Sequence, residues 1–387
     1  MKKTCLFLVF VITLFAQRSV AQDSSHLRIS LLTCGASEEL YSTWGHTAIR
    51  IIDSVKQTDA VYNYGYFDFN DPDFYTKFTR GKLDYYLVVQ GFTDFMYEYQ
   101  VDKRSVMEQQ LRLTDSTKLF IQKFLNTTLN SPARIYKYDF LYNNCTSRVR
   151  DIFINYAGLK ADQALVPAGT TFRNMLHEYL DKESETWSKL GIDLLLGSPI
   201  DKVVGNSESM FLPEYLMKGV DSSVHSANHG ILLEKTILNT GSPNETANRN
   251  WPLYIFSLIA LIIISISFIQ NKTARIITRI FDIGLFLVTG LLGCLLLFMW
   301  FGTDHKACAA NYNLLWALPT NLIVVFILWK KPRWLKKYFS VCVVIHALTL
   351  LLWFWLPQQL NTGFIPIVVL LLQRCRQLLE SFKLSKS

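Results

Sequence analysis

Cys145 stands in the run Asn143-Asn144-Cys145-Thr146-Ser147, directly before apolar residues at Val149, Ile152, Phe153 and Tyr156. That spacing of i, i+3, i+4, i+7 predicts an amphipathic helix, with Asn143 or Asn144 as its N-cap. A cysteine in a first helical turn faces unpaired N–H groups and the positive end of the helix dipole, which favour the thiolate. The same N–H groups, around Asn144 and Thr146, can receive a developing oxyanion. The chemistry on offer is nucleophilic attack on a carbonyl, and a thiol nucleophile needs a base. In residues 42–53, "STWGHTAIRIID", the alternation predicts a strand with Ile49 and Ile51 on one side and Trp44, His46 and Ala48 on the other. His46 is the candidate base, and Gly45 permits close approach of the backbone. His177, in a helical stretch, competes; His26 falls in the N-terminal tail, and His225 and His229 fall near a polar linker. The imidazole needs an orienting group. The next expected strand, residues 60–69, offers Asn63, Tyr64 and Asp68, and Glu38 and Glu39 precede His46; Asn63 and Tyr64 lead. The plainer role for Cys145 is half of a disulfide with Cys34.

The chain that must position these residues has 387 of them, half hydrophobic, with a formal net charge of +8. Its mean hydropathy is +0.19, above that of an average soluble domain. The apolar excess sits at the N-terminus and after residue 250. Residues 1–21 read as a secretory signal: Lys2 and Lys3, an apolar run from Cys5 to Ala16, then Ser19 and Ala21 before a cut. An exported α+β domain is expected over 22–220 and a Ser/Asn/Gly-rich linker over 221–250. Membrane helices are expected at 251–269, about 280–301, about 312–329 and about 338–356. A fifth, near 363–373, is shortened by Arg374 and Arg376, leaving a cytoplasmic tail over 374–387. The loops 270–279 and 330–337 are rich in Lys and Arg and therefore cytoplasmic, which puts the N-terminal domain outside the inner membrane. The +8 charge is then mostly loop charge and no argument for a nucleic-acid partner. Asp304, His305, Asn311 and Asn313 fall at the outer membrane surface and Asn321 falls deeper; polar groups at or within a span are costly and suggest function, and for Asn321 a helix–helix hydrogen bond is the equal structural alternative. The sequence contains no P-loop, GxGxxG or Cys-x-x-Cys and no metal-ligand cluster, so neither metal nor cofactor is expected.

Histidine on a strand, followed by cysteine at a helix N-terminus, reverses the usual papain-like order. It resembles the circularly permuted papain-like group that includes lecithin:retinol acyltransferase relatives, whose Asn-Cys dipeptide is similar to Asn144-Cys145. A wider resemblance runs through "TWGHTAIRI", "YNYGYFDF", "YDFLYNNCTSRVRDI", "GIDLLLGSPID" and "TDHKACAANYNLLW". These stretches resemble, in order, the Bacteroidota lipoprotein N-acyltransferase family, the Lnb-type proteins. The resemblance implies a periplasmic domain, a five-helix membrane domain, and acyl transfer to the N-terminal cysteine amine of a diacylglyceryl lipoprotein. It puts the reactive positions on His46 and Cys145. The expected acyl donor is a membrane phospholipid. Two other readings stay open: a tethered cysteine hydrolase of cell-wall peptides or lipid esters, and a non-catalytic anchored binding protein with Cys34 and Cys145 bridged.

Overall fold

Apolar alternation along residues 27–66 forms three consecutive antiparallel strands, β1 (Leu27–Cys34), β2 (His46–Asp53) and β3 (Thr58–Tyr66). The computed structural model describes residues 26–37, 42–223, 230–241, 249–328, 330 and 332–384. The expected signal peptide and Glu38, Glu39, His225 and His229 lie outside the described residues. After β3 come α1 (Phe74–Thr79), β4 (Asp84–Gly91), α2 (Phe92–Val101), β5 (Val106–Leu111), α3 (Asp115–Leu129), β6 (Ile135–Lys137) and α4 (Cys145–Ala157). With β7 (Leu232–Asn239) the strands form one seven-stranded sheet, ordered β6-β4-β3-β2-β1-β5-β7.

Both faces of the central strands are covered. Ile29, Leu31, Ile49, Ile51 and Tyr64 pack against α3 and against Val149 and Phe153 of α4. Leu32, Cys34, Ala48 and Val61 pack against Phe95, Met96 and Tyr99 of α2. Ile49 and Ala48 thus separate to opposite faces, as the alternation of β2 requires. Two local readings are corrected. Residues 95–113, "FMYEYQVDKRSVMEQQLRL", read in sequence as one helix but break after Val101 into a turn and strand β5, whose residues pair with β1 on one side and β7 on the other. The expected linker contains β7, whose pairing with β5 gives its backbone a place in the sheet.

Helices α5 (Phe172–Lys182), α6 (Thr186–Leu195), α7 (Asn206–Ser209) and α8 (Pro213–Ser222) close the domain. Beyond it run α9 (Trp251–Ser267), α10 (Lys272–Phe301), α11 (Asn321–Ile327), α12 (Arg333–Leu351) and α13 (Ile365–Leu384). Among the described residues, three stretches are long and apolar enough to cross a membrane: Lys272–Phe301, Arg333–Leu351 and Thr362–Phe382. Helix α9 is apolar but shorter, at 17 residues. The helix expected over 312–329 is not continuous. Its seven-residue α11 rises only about 10 Å, against a hydrocarbon layer of about 30 Å. Pro319 interrupts it, and its first part, at Asn311 and Asn313, is tied to the exported domain instead. The last helix is longer than its charges implied. Arg374 is buried and donates to both carboxylate oxygens of Asp282 on α10, at 2.6 and 2.8 Å, so its charge is matched inside the bundle and the helix continues to Leu384. The boundary expected at 374 therefore falls within α13.

A buried polar joint fixes the exported domain to the membrane helices. Asp193 of α6 accepts from Arg173 at 2.7 Å, His177 at 2.8 Å and Asn361 at 2.8 Å. The Asn311 amide donates to the Leu194 carbonyl at 2.8 Å, and Asn313 to that of Asp193 at 2.9 Å. Buried charges of this kind hold position because each is fully partnered.

Candidate active site

Cys145 begins α4. Asn144 is its N-cap, accepting from the Ser147 N–H at 2.7 Å, while the Ser147 hydroxyl accepts from the Asn144 N–H at 2.8 Å. The Asn144 amide also donates to the carbonyls of Phe140 and Phe211, so its donors are spent on architecture. The N–H groups of Cys145 and Thr146, at the first two helical positions, have no carbonyl four residues back within the helix. Thr146 is buried, its hydroxyl 2.9 Å from that of Thr47 and 3.8 Å from the Cys145 sulfur.

His46 opens β2 and pairs in register with Cys34 of β1. Gly45 before it holds φ +80, and a Cβ there would lie 2.4 Å from the Cys34 carbonyl oxygen, so this turn requires glycine. The His46 Nε2 lies 3.2 Å from the Asn63 Oδ1. Asn63 is oriented in turn by its amide, which donates to Gln90 at 3.3 Å. Tyr64, one residue on, points to the opposite face, edge-on to Tyr136 and beneath the Arg148 guanidinium. Of the two leading orienters, the strand brings Asn63 to the imidazole and turns Tyr64 away. The loops leading into the two reactive residues are pinned together by Trp44 and Phe140, whose rings meet edge-on at 4.9 Å.

The electrostatics single out one thiol. Burial alone would push the Cys145 thiol up. The adjacent His46 imidazole and its hydrogen bond, with further ones from Thr146 and the Thr47 N–H, outweigh burial and hold the thiol below its ordinary value. Burial would likewise push His46 down, but the Cys145 charge and hydrogen bonds with Cys145 and Asn63 hold the imidazole above its ordinary value. Both shifts run toward the thiolate–imidazolium form of the pair. Cys34, by contrast, is buried to the point that its thiol rises to about 12. Burial raises Cys308 to about 11. Cys34 and Cys145 are both free thiols, unbridged.

The other sequence candidates lie elsewhere. His177 belongs to the Asp193 joint. Asp304 donates its N–H to the Arg80 carbonyl and His305 its ring nitrogen to that of Phe78, so this pair ties the end of α10 to α1. Asn311 and Asn313 build the joint. Asn321 donates to Thr289 at 2.9 Å and accepts from Tyr338 at 2.6 Å, a helix–helix contact. Among the described residues no cluster of three His, Cys, Asp or Glu could hold a metal ion.

Sequence reasoning passed over Gly65. It sits at φ +95 in a bulge of β3, and a Cβ there would lie 3.3 Å from the Cys145 Cβ. The signal was present: a glycine inside an otherwise regular strand marks a bulge or a close approach. Gly65→Ala should strain the bulge by about 1–3 kcal/mol and push against the sulfur-bearing carbon. A displacement of a few tenths of an ångström at a nucleophile is expected to slow Cys145 alkylation by iodoacetamide at least about tenfold, with the fold retained by circular dichroism. An unchanged alkylation rate would mean that the bulge does not set the thiol's position.

A sheet-bearing extracytoplasmic domain with a histidine–cysteine pair, fixed to a bundle of apolar helices, defines a membrane-anchored protein whose candidate site faces outward. The comparisons make the class specific. Residues 16–183 match the Lnb N-terminal periplasmic domain, and residues 244–383 match the Lnb transmembrane domain. The chain belongs to the Lnb-type lipoprotein N-acyltransferase family. It is a membrane protein with a periplasmic N-terminal domain. No curated protein and no solved structure matches it significantly.

Proposed function

We propose that this protein is a thiol-dependent acyltransferase of the inner membrane. It moves a fatty acyl chain from a membrane phospholipid, through a thioester on Cys145, to the N-terminal amine of a diacylglyceryl-cysteine lipoprotein. The observation that carries this reading is the thiol–imidazole–amide constellation Cys145–His46–Asn63 at the start of α4, within a chain of the Lnb family. The same constellation on a strand and a following helix supports a circularly permuted papain-like arrangement. Five passes of the chain, the third made by the short α11 together with the turns before it, are supported by segments meeting the exported domain or one another on one side, at Asn250, Asp304, Asn311, Gln358 and Asn361. The basic loops lie at the other ends of the helices.

The Cys145 thiolate attacks the ester carbonyl carbon. The new C–S bond replaces the C–O bond, and the His46 imidazolium gives its proton to the departing lysophospholipid oxygen. The N–H groups of Cys145 and Thr146 face the oxyanion that forms between these events. His46, now neutral, takes a proton from the incoming α-amine as the C–N bond forms and the C–S bond breaks. An amide is more stable than a thioester, so transfer runs forward without a further energy source. Asn63 keeps the imidazole in the orientation both steps use.

The test is a transfer reaction with the full chain in detergent, a phospholipid labelled in its acyl chains, and a synthetic diacylglyceryl-cysteine peptide. Label should pass to the peptide in an amide that resists neutral hydroxylamine. Release of free fatty acid with no labelled peptide would replace this reading with the tethered hydrolase.

A further inference from the structure

The fold carries the chain directly from the candidate nucleophile to the outer end of a membrane helix, and the intervening segment is unusually aromatic. It starts at the Gly65 bulge against Cys145 and runs through residues 66–80. Phe67 and Phe74 turn inward, 5.8 Å apart ring to ring, and Phe67 also meets Tyr85 at 5.2 Å. They anchor the segment. Four other rings stand outward: Tyr66 is 58 % exposed, Phe69 63 %, Tyr75 83 % and Phe78 49 %. A soluble surface seldom groups four exposed rings on so short a stretch without a use for them.

The far end of the segment is tied to the membrane domain by its backbone. The Asp304 N–H donates to the Arg80 carbonyl at 2.9 Å, and His305 Nε2 lies 3.1 Å from the Phe78 carbonyl oxygen. Asp304 follows α10, the longest and most apolar of the candidate spans. That helix ends in the stacked rings of Trp300 and Phe301, the latter 72 % exposed. Aromatic rings concentrate where a membrane meets water. The exposed rings of 66–80 therefore continue the aromatic end of α10, and the segment's other end follows Gly65, where an added Cβ would lie 3.3 Å from the Cys145 Cβ. Its polar side is mixed in charge. Asp71 pairs with Lys77, leaving Asp68, Asp73 and Arg80 nearby, so no excess of positive charge would draw it to anionic lipid.

We propose that residues 66–80 form an aromatic ledge seated in the interfacial layer of the outer leaflet, leading the ester region of a bilayer lipid toward Cys145. The seating stands on the geometry alone; the delivery of an ester rests on the acyltransferase reading above. The occupant is bilayer lipid, whose glycerol-ester zone lies at the depth where such rings settle.

The test is photocrosslinking of the full chain in native membranes, with benzoylphenylalanine replacing Tyr75 or Phe69. Val55, 75 % exposed in the turn at the other end of β2, serves as the control position. Phospholipid adducts by mass spectrometry are expected at 69 and 75 and not at 55. No lipid adduct at either ledge position, adducts to protein alone, or equal lipid labelling at 55 would overturn the ledge. In a second arm, the Phe69→Asp/Tyr75→Asp double variant should slow acylation by bilayer lipid at least about tenfold, while Cys145 alkylation by iodoacetamide stays at the parent rate. An unchanged acylation rate would remove the delivery role. Lipid adducts at 69 and 75, with no acyl transfer by the parent chain, would sustain the seating and sink the acyltransferase reading, so the two failures are distinct.

Discussion

Cys145→Ala is expected to abolish acyl transfer, by on the order of 10⁴-fold or more, and to remove the acyl-enzyme altogether. Incubated with phospholipid, the parent chain should gain one fatty-acyl mass on the peptide holding Cys145, released by neutral hydroxylamine. The variant should gain none. The size of the effect follows from the absence of a substitute. Cys34, on β1, is the register partner of His46, but its thiol is pushed up to about 12 by burial and is hydrogen-bonded to Tyr99. At neutral pH about one such thiol in 10⁵ is ionised. Cys308 is buried as well and raised to about 11. The fold itself should survive. Alanine is a good helix former, and the Asn144–Ser147 capping box that starts α4 does not use the sulfur. A change in stability of no more than about 1 kcal/mol is expected, read as an unfolding midpoint in detergent. An acyl mass that persists on another residue of the variant would sink Cys145 as the nucleophile.

The site was more legible in the sequence than the fold around it, for a physical reason. The signals for Cys145 are local: an Asn cap, a first-turn position and a helical repeat over the next dozen residues. Those for His46 and Asn63 are nearly so, since a period of two assigns each strand residue to a face. That period also places Asn63 and Tyr64 on opposite faces, with only odd-numbered residues of β3 on the face of His46; the register, Ala48 opposite Asn63, which brings the two strands' residues level, is not in the sequence. Features that depend on distant partners were not legible. Arg374 reads as the end of a membrane segment until Asp282, on another helix, is known to match it. Residues 312–329 read as a span because composition is blind to Asn311 and Asn313 binding the carbonyls of α6. Strand β7, LLEKTILN, is flanked on both sides by Ser/Asn/Gly-rich sequence, and its place in the sheet depends on β5, so it reads as part of the linker.

His46→Ala should lower acyl transfer by on the order of 10³-fold and change the shape of its pH profile, which a merely structural histidine would not do. In the parent chain the thiol is held below its ordinary value and the imidazole above it. Both shifts favour the reactive thiolate–imidazolium pair. As pH falls through the lowered thiol value the sulfur is protonated, and as pH rises through the raised imidazole value the proton destined for the leaving group is lost. Acylation should follow a bell whose two limbs belong to the pair together. Removing the imidazole removes the attraction that lowered the thiol, while burial, which raises it, remains. The acid limb of alkylation by iodoacetamide should then move to higher pH by at least about one unit, so that the rate at pH 6 falls at least about tenfold. The alkaline limb of acylation should disappear with the group that titrates there. Asn63→Ala tests the third member: the bell should keep its form, since both charges remain, while kcat falls about tenfold as the imidazole loses its fixed orientation. A His46→Ala profile that keeps the parent's acid limb would show that the thiolate is set by the helix N-terminus and the Thr47 N–H, and that His46 acts only at the proton transfers.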